Sequence, residues 1–348
     1  MKQRRISRRR NTRKFRGGAQ DRLGDNVLQA SLYGLPRPGR RFVPVNAYYR
    51  AIGDSLSRGY ALLIGPRIGT TNEAILRATY PFEECIILLE FEIPAEYPNV
   101  PPNVLHRTPT ILGTPDYRIH PNLYEAYAGG PLFDGKVCLG LLGTYGDNEW
   151  TSDKTISKVL SFDEGILGIL EADPGKYEPT SSRALMSSNH PQGILYNKHT
   201  FAECLEYTTR IYQAILQGEE LPSILQPFRE VLTRRAYSAL DFLTKKVEDF
   251  ITLNGESEMR LDRDFYRHKQ ERTVNFWRLH QQLLDALDSV PEELRVNVFP
   301  EDELRRIAER RATVRGPLIL QELPVRNSRR RNGNGNGIYN LIMPPNNG

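Results

Sequence analysis

The sequence predicts a mixed α/β fold of the α+β kind: an antiparallel β-meander flanked by helices, an α-helical C-terminal extension, and disordered basic ends. Three observations carry this expectation. Short apolar runs punctuated by Pro and Gly occupy the stretch before His106, and apolar residues at helical spacing dominate after Ile156. Both ends are rich in Arg and poor in apolar residues.

The ends set the frame. Lys2, Arg4, Arg5, Arg8, Arg9, Arg10, Arg13, Lys14 and Arg16 stand together without an acid, and Arg326, Arg329, Arg330 and Arg331 mark the other end. Such tails are solvated and disordered, and contact with nucleic acid, an acidic partner or an import receptor stays open beside a plain solubilising role. Across all 348 residues the net charge of +5, from 47 basic and 42 acidic residues, is small, and 39% hydrophobic content suffices for a core. Three cysteines without close spacing argue against a disulfide framework and for a reducing compartment, hence an intracellular protein, cytoplasmic or nuclear. No secretory signal is expected, and no run approaches the roughly twenty apolar residues of a membrane span, so a soluble protein without a membrane partner is expected.

Between the ends, a short helix is predicted over residues 26–32, broken by Pro36, Pro38 and Gly39, and the stretch Phe42 to Ile52 has apolar residues at no clear period. Tyr60 to Ile64 reads as a strand stopped by Gly65-Pro66. Cys85 to Ile93 reads as a half-buried strand, with Ile87, Leu89, Phe91 and Ile93 on one face and Glu90 and Glu92 on the other. The prolines between Tyr97 and Pro102 cannot donate to a ladder and predict a rigid extended loop, after which Val104 and Leu105 add a third strand. A long Gly- and Pro-rich segment over residues 108–146 is a candidate functional loop.

Helices are then predicted over Ile156 to Leu170 and Thr200 to Gln217. Beyond Pro222 only helix is expected: Leu225, Phe228, Val231, Leu232, Leu240, Leu243, Val247 and Phe250 recur at helical spacing as far as Asn254-Gly255. A long helix over Asp262 to Leu287 uses Phe265, Phe276, Trp277, Leu279, Leu283 and Leu284, and a short basic one follows over Pro300 to Arg311.

The chemistry concentrates between His120 and Leu142. Cys138 sits among aliphatic residues, a setting in which a thiol can carry an acyl group. His120-Pro121-Asn122 offers an amide donor for a developing oxyanion, and Gly135 would let the backbone approach Cys138 closely. This pattern points to acyl transfer through a thioester.

These residues also carry a family resemblance. Leu62-Leu63-Ile64-Gly65-Pro66, the strand Ile86 to Ile93, Pro94 to Pro102, His120-Pro121-Asn122, Lys136-Val137-Cys138-Leu139, Trp150 and the Ile156 to Leu170 helix follow one another as in ubiquitin-conjugating enzymes, the E2 class. The chain resembles that family over roughly residues 45 to 217, most of all its large members that combine conjugating and ligase activity. The resemblance implies a conjugating-enzyme core over residues 26–217, between a basic arm (1–25) and a helical extension (218–320) with a disordered tail (321–348).

It also implies roles. Cys138 would accept ubiquitin as a thioester from a separate activating enzyme, which alone uses ATP, so no cofactor is expected. Transfer would go to a lysine of a protein substrate, directly or with a ligase. Asn122 would support the oxyanion or order the loop, and His120 and Pro121 would be structural. Glu178, in Gly175-Lys176-Tyr177-Glu178-Pro179, stands where the family often carries an acid that orients or deprotonates the lysine. One departure from the pattern is the insertion Ala126 to Phe133, which either loops out or displaces Asn122 from Cys138.

Other readings are weaker. Gly53-Asp54-Ser55-Leu56 spells a serine-esterase signature, but the late Asp-x-x-His that chemistry needs is missing, Asp264 and His268 being wrongly spaced. His190, His199 and Cys204 are too scattered for a metal site, and Cys85 and Cys204 read as core residues. An E2-like module that binds ubiquitin or a ligase without conjugating, or an enzyme for a ubiquitin-like modifier, remains as the alternative. The presence of Cys138 favours an enzyme.

Overall fold

The run Ile86-Ile87-Leu88-Leu89 has no polar residue to turn toward water, so a strand made of it is stable only where both faces are covered. The computed structural model puts it there. It describes residues 34–35, 44–53, 56–67, 81–108, 119–123, 135–144, 149–171, 174, 191–254, 258–261 and 272–299. The sheet is an antiparallel meander of β1 (Ala47–Ile52), β2 (Arg58–Ile64), β3 (Ile86–Glu92) and β4 (Asn103–His106), in that order. Ala61 of β2 faces Tyr49 of β1 and Leu89 of β3, and Leu89 in turn faces His106 of β4.

The expectation of a half-buried strand is corrected by β3, whose residues Ile86 to Phe91 are all buried. Glu90 is among them at 7% exposure. Its carboxylate is tolerated there because Arg58 and Arg107 both pair with it, Arg107 Nε at 2.9 Å. β1 supplies the strand that the uneven spacing of Phe42 to Ile52 left undefined, and Gly53 lies directly after it with a φ of 68°.

The helix expected over Ile156 to Leu170 is two short ones, α1 (Ile156–Val159) and α2 (Ile166–Leu170). Ser161, Asp163 and Gly165 favour turn geometry over helix, and Lys154 holds the intervening Glu164 at 2.9 Å, so the apolar period continues while the backbone does not. α3 (Pro191–Leu216) then packs on β3, where Thr208 Oγ1 accepts the Ile86 N–H at 3.0 Å. α4 (Arg229–Asn254) and α5 (Phe276–Asp288) pack on α3 and on each other.

The stretch expected to be helix only contains a hairpin, β5 (Glu258–Leu261) with β6 (Arg272–Asn275). Asn275 ends β6 and caps α5 by accepting the Arg278 N–H at 2.8 Å, so the helix starts fourteen residues later than the apolar spacing suggests, counting from Asp262 to Phe276. Trp277, expected in the packing face, is 56% exposed. Residues 26–32 and 300–311, both expected to be helical, and the basic ends lie outside the described residues.

One buried apolar cluster runs from Leu62 and Leu89 in the sheet through Phe201 of α3 to Leu240 of α4 and Leu283 of α5. A charged cluster joins the same layers. Arg235 of α4 clasps both carboxylate oxygens of Glu84 at 2.8 and 2.9 Å and donates to the Val45 carbonyl at 2.9 Å. Arg67 reaches Glu84 at 2.7 Å and the Ser238 carbonyl of α4 at 2.8 Å, while Lys246 pairs with Glu83 at 2.8 Å. Burial alone would raise the Glu84 pKa, but the two guanidinium groups outweigh it and hold the carboxyl down at about 2. No described helix is long and apolar enough to cross a membrane.

Candidate active site

The segment leading to Cys138 is zipped onto the free edge of β4. Lys136 bridges to Leu105, Val137 bridges to Leu123, and the Val137 N–H donates to the Val104 carbonyl at 3.0 Å. Gly135 begins this zipper at a φ of 75°, and a Cβ there would lie 2.6 Å from the His106 carbonyl oxygen. The glycine therefore serves the close approach to β4 rather than to Cys138, as its sequence position suggested. Cys138 emerges just past the sheet edge.

Asn122 meets Cys138 on both backbone groups. Its carbonyl accepts the Cys138 N–H at 2.8 Å, and its side-chain Nδ2 donates to the Cys138 carbonyl at 2.9 Å. The two halves of the motif are thus in contact across the insertion, whose residues 126–133 lie outside the described ones. Asn122 is held in turn by His120, whose Nδ1 accepts the Asn122 N–H at 2.9 Å. An accepting Nδ1 leaves the proton of a neutral imidazole on Nε2. The ring is fully buried 5.9 Å from Phe82, and Pro121 sits in the turn that returns the Leu123 N–H to the His120 carbonyl at 2.9 Å.

Thr144 is a residue that the sequence did not single out for any role. Its Oγ1 accepts the Leu139 N–H at 2.8 Å and donates to the Val137 carbonyl at 2.7 Å, so one hydroxyl staples the backbone on either side of Cys138. Its carbonyl accepts the Cys138 thiol at 3.2 Å. The intervening turn Gly140–Leu142 is anchored by the buried Leu141 and Leu142. A hydroxyl six residues after a cysteine carries no periodic signal, which is why only the fold exposes it.

Glu149 is the second such residue. Its N–H donates to the Gly140 carbonyl at 3.3 Å, and its carboxylate lies across Gly140, where an added Cβ would be 3.2 Å from Oε1 and 3.5 Å from Oε2. Its neighbour Trp150 donates its indole N–H to the Pro98 carbonyl at 2.7 Å, tying this segment to the proline-rich loop. Glu178 lies outside the described residues.

Cysteine burial separates the candidates for a nucleophile. Cys85 and Cys204 are fully buried, and burial pushes the Cys204 thiol pKa well up, whereas Cys138 is partly open to solvent. Among the described residues no group of three His, Cys, Asp or Glu side chains is placed to hold a metal ion.

Ubiquitin-conjugating enzyme E2 Z of Homo sapiens is 26% identical to this chain over 228 residues, covering 65% of this chain and 53% of that protein. The chain is similar in sequence to E2 ubiquitin-conjugating enzymes. The E2 Z of Danio rerio is 25% identical over 272 residues, covering 78% of this chain and 68% of the relative. The matched stretch thus spans about half the length of the human E2 relative. Among solved structures, the E2 domain of a Toxoplasma gondii ubiquitin conjugating enzyme shares 22% identity, covering 55% of this chain and 97% of that one at a TM-score of 0.34. No family model matches the chain.

Proposed function

We propose that this chain is an E2 ubiquitin-conjugating enzyme that carries ubiquitin as a thioester on Cys138. The observation that carries the reading is the partly open Cys138 thiol in a loop whose backbone Asn122 grips at both the N–H and the carbonyl. Its relatives named as E2 enzymes point the same way.

In this reading the Cys138 thiolate attacks the thioester that a separate, ATP-using activating enzyme presents, and that enzyme's thiolate leaves. A substrate lysine amine then displaces Cys138, directly or with a ligase. A thiol suits both steps, because thiolate is a good nucleophile and a good leaving group. Asn122 acts by ordering the loop, since its amide is already engaged with the Cys138 carbonyl. His120 and Pro121 hold Asn122. The conjugating core is assigned to residues 26–217 and the largely helical extension to 218–320, with Arg235–Glu84 and Lys246–Glu83 as polar contacts between them.

Incubation with activating enzyme, ATP and ubiquitin is expected to give a thiol-sensitive adduct, absent in Cys138→Ala. Failure to form one with ubiquitin or any ubiquitin-like modifier would reject the enzyme in favour of a binding module. Asn122→Ala is expected to slow discharge onto lysine by about tenfold or more, the worth of one hydrogen bond to a reactive loop. Equal discharge rates would remove its assigned role.

A further inference from the structure

A thioester is attacked by a neutral amine, yet lysine arrives as an ammonium ion, so a proton must leave and the cation must be held where the acyl carbon is within reach. The geometry beside Cys138 offers a carboxylate for this. Leu139 is extended, with φ −148° and ψ 132°, so positions 138 and 140 direct their substituents to the same side of the chain. Gly140 has no substituent. The space its side chain would fill is taken by the Glu149 carboxylate, with Oε1 at 3.2 Å and Oε2 at 3.5 Å from the point where a Cβ would stand.

We propose that Glu149 is the group that receives the incoming lysine, and that Gly140 is there to admit its carboxylate to the Cys138 side of the loop. This inference rests on the thioester reading above. Two residues of extended chain span about 6–7 Å. That span accommodates an amine nitrogen about 3 Å from the acyl carbon on sulfur and about 3 Å from a carboxylate oxygen. The Glu149 N–H to Gly140 carbonyl bond fixes the acid to the loop that bears the thiol, so the two groups keep their separation.

The step balances without a further reactant. The ammonium pairs with Glu149 and gives one proton to solvent. Its nitrogen lone pair then forms the C–N bond to the acyl carbon. The C–S bond breaks with its electrons on Cys138 Sγ, and the remaining excess proton on nitrogen passes through the Glu149 carboxylate to the thiolate. The products are an amide, a free Cys138 thiol and one proton in solution.

The test measures discharge of the charged protein onto free lysine and, separately, onto a small thiol, which needs no amine deprotonation. Glu149→Gln is expected to lower lysine discharge by about 10²-fold, within the range of a lost acid–base group, with thiol discharge changed less than about twofold. Glu149→Ala is expected to behave like Glu149→Gln, and adding Gly140→Asp to it is expected to restore at least about a tenth of the lysine rate, because the new carboxylate occupies the same space. Unchanged lysine discharge in Glu149→Gln overturns the proposal, as does an equal loss toward both nucleophiles, which marks a merely structural role. A wild-type chain that never charges removes the thioester reading itself, and this inference with it. Normal charging with no nucleophile-selective defect removes only the role of Glu149.

Discussion

Around Cys138 the chain is pinned by single, mostly neutral hydrogen bonds: Asn122 to one carbonyl, the Thr144 hydroxyl to one N–H and one carbonyl, and the thiol itself to another carbonyl. Around Glu84, by contrast, two guanidinium groups converge on one fully buried carboxylate. The first arrangement keeps the Cys138 sulfur partly open and its surroundings adjustable by about 1 kcal/mol at a time. The second takes three charges out of water, so the loss of any one leaves the others uncompensated. Glu84 adds to this a left-handed backbone, at φ 59°, that a residue with a side chain adopts only where its surroundings impose it. The proposed site of chemistry is lightly held and the junction between the sheet and α4 is heavily held.

That contrast is open to measurement. The largest effect belongs to Arg235→Ala, which strands Glu84 in the interior and is expected to lower the unfolding free energy by about 3–5 kcal/mol in urea titration. A loss below about 1 kcal/mol would put the ionic junction on a par with the thiol loop and erase the distinction.

Next is acid sensitivity. Because the folded Glu84 carboxyl titrates at about 2 rather than at its ordinary 4.5, its stabilisation is complete above about pH 4.5 and is lost as the pH falls toward 2. The loss is expected to be on the order of 3 kcal/mol and to be missing in Glu84→Gln, which has no such proton to take up. Matching acid profiles for the two proteins would show that Glu84 has no depressed titration in solution.

The smallest effect belongs to the thiol loop. Thr144→Val keeps the shape but removes the staple, and about 1–2 kcal/mol of stability should go with it, together with faster hydrogen exchange at the Leu139 amide. An unchanged Leu139 exchange rate would mean that the turn over Gly140–Leu142, not the hydroxyl, holds the loop.

Sequence patterns carried much of this organisation. The strands read over Tyr60 to Ile64 and Cys85 to Ile93 are found as β2 and β3, because their apolar content and their Gly-Pro or Pro stops admit little else. In α4 and the turn that leads into it, Leu225 to Phe250 were recognisable as a buried face because eight apolar side chains recur at helical spacing, and all eight are buried, six of them within the helix itself. The thiol motif was recognisable because His120-Pro121-Asn122 and Lys136-Val137-Cys138 are fixed local wording.

What escaped was set by contacts between distant segments. Four-residue strands such as β5 and β6 hold too few residues to show a period, so the apolar spacing of α5 was read through them. Arg235 looks like any exposed helix arginine until Glu84, 151 positions away, is brought against it. Thr144 and Glu149 carry no signal of a role in the sequence, and only the turn after Cys138 brings their side chains to Leu139 and Gly140.

The sequence by itself determined the central strands, the buried helical faces, the resemblance to conjugating enzymes and the motifs that hold Asn122 and Cys138, because periodicity and short motifs are local. Only the tertiary structure decided which charges could be buried, which hydroxyl staples the thiol loop, and which carboxylate lies beside it. Those depend on distances between segments far apart in the chain, and hydrogen bonds and ion pairs act only once folding has closed those distances.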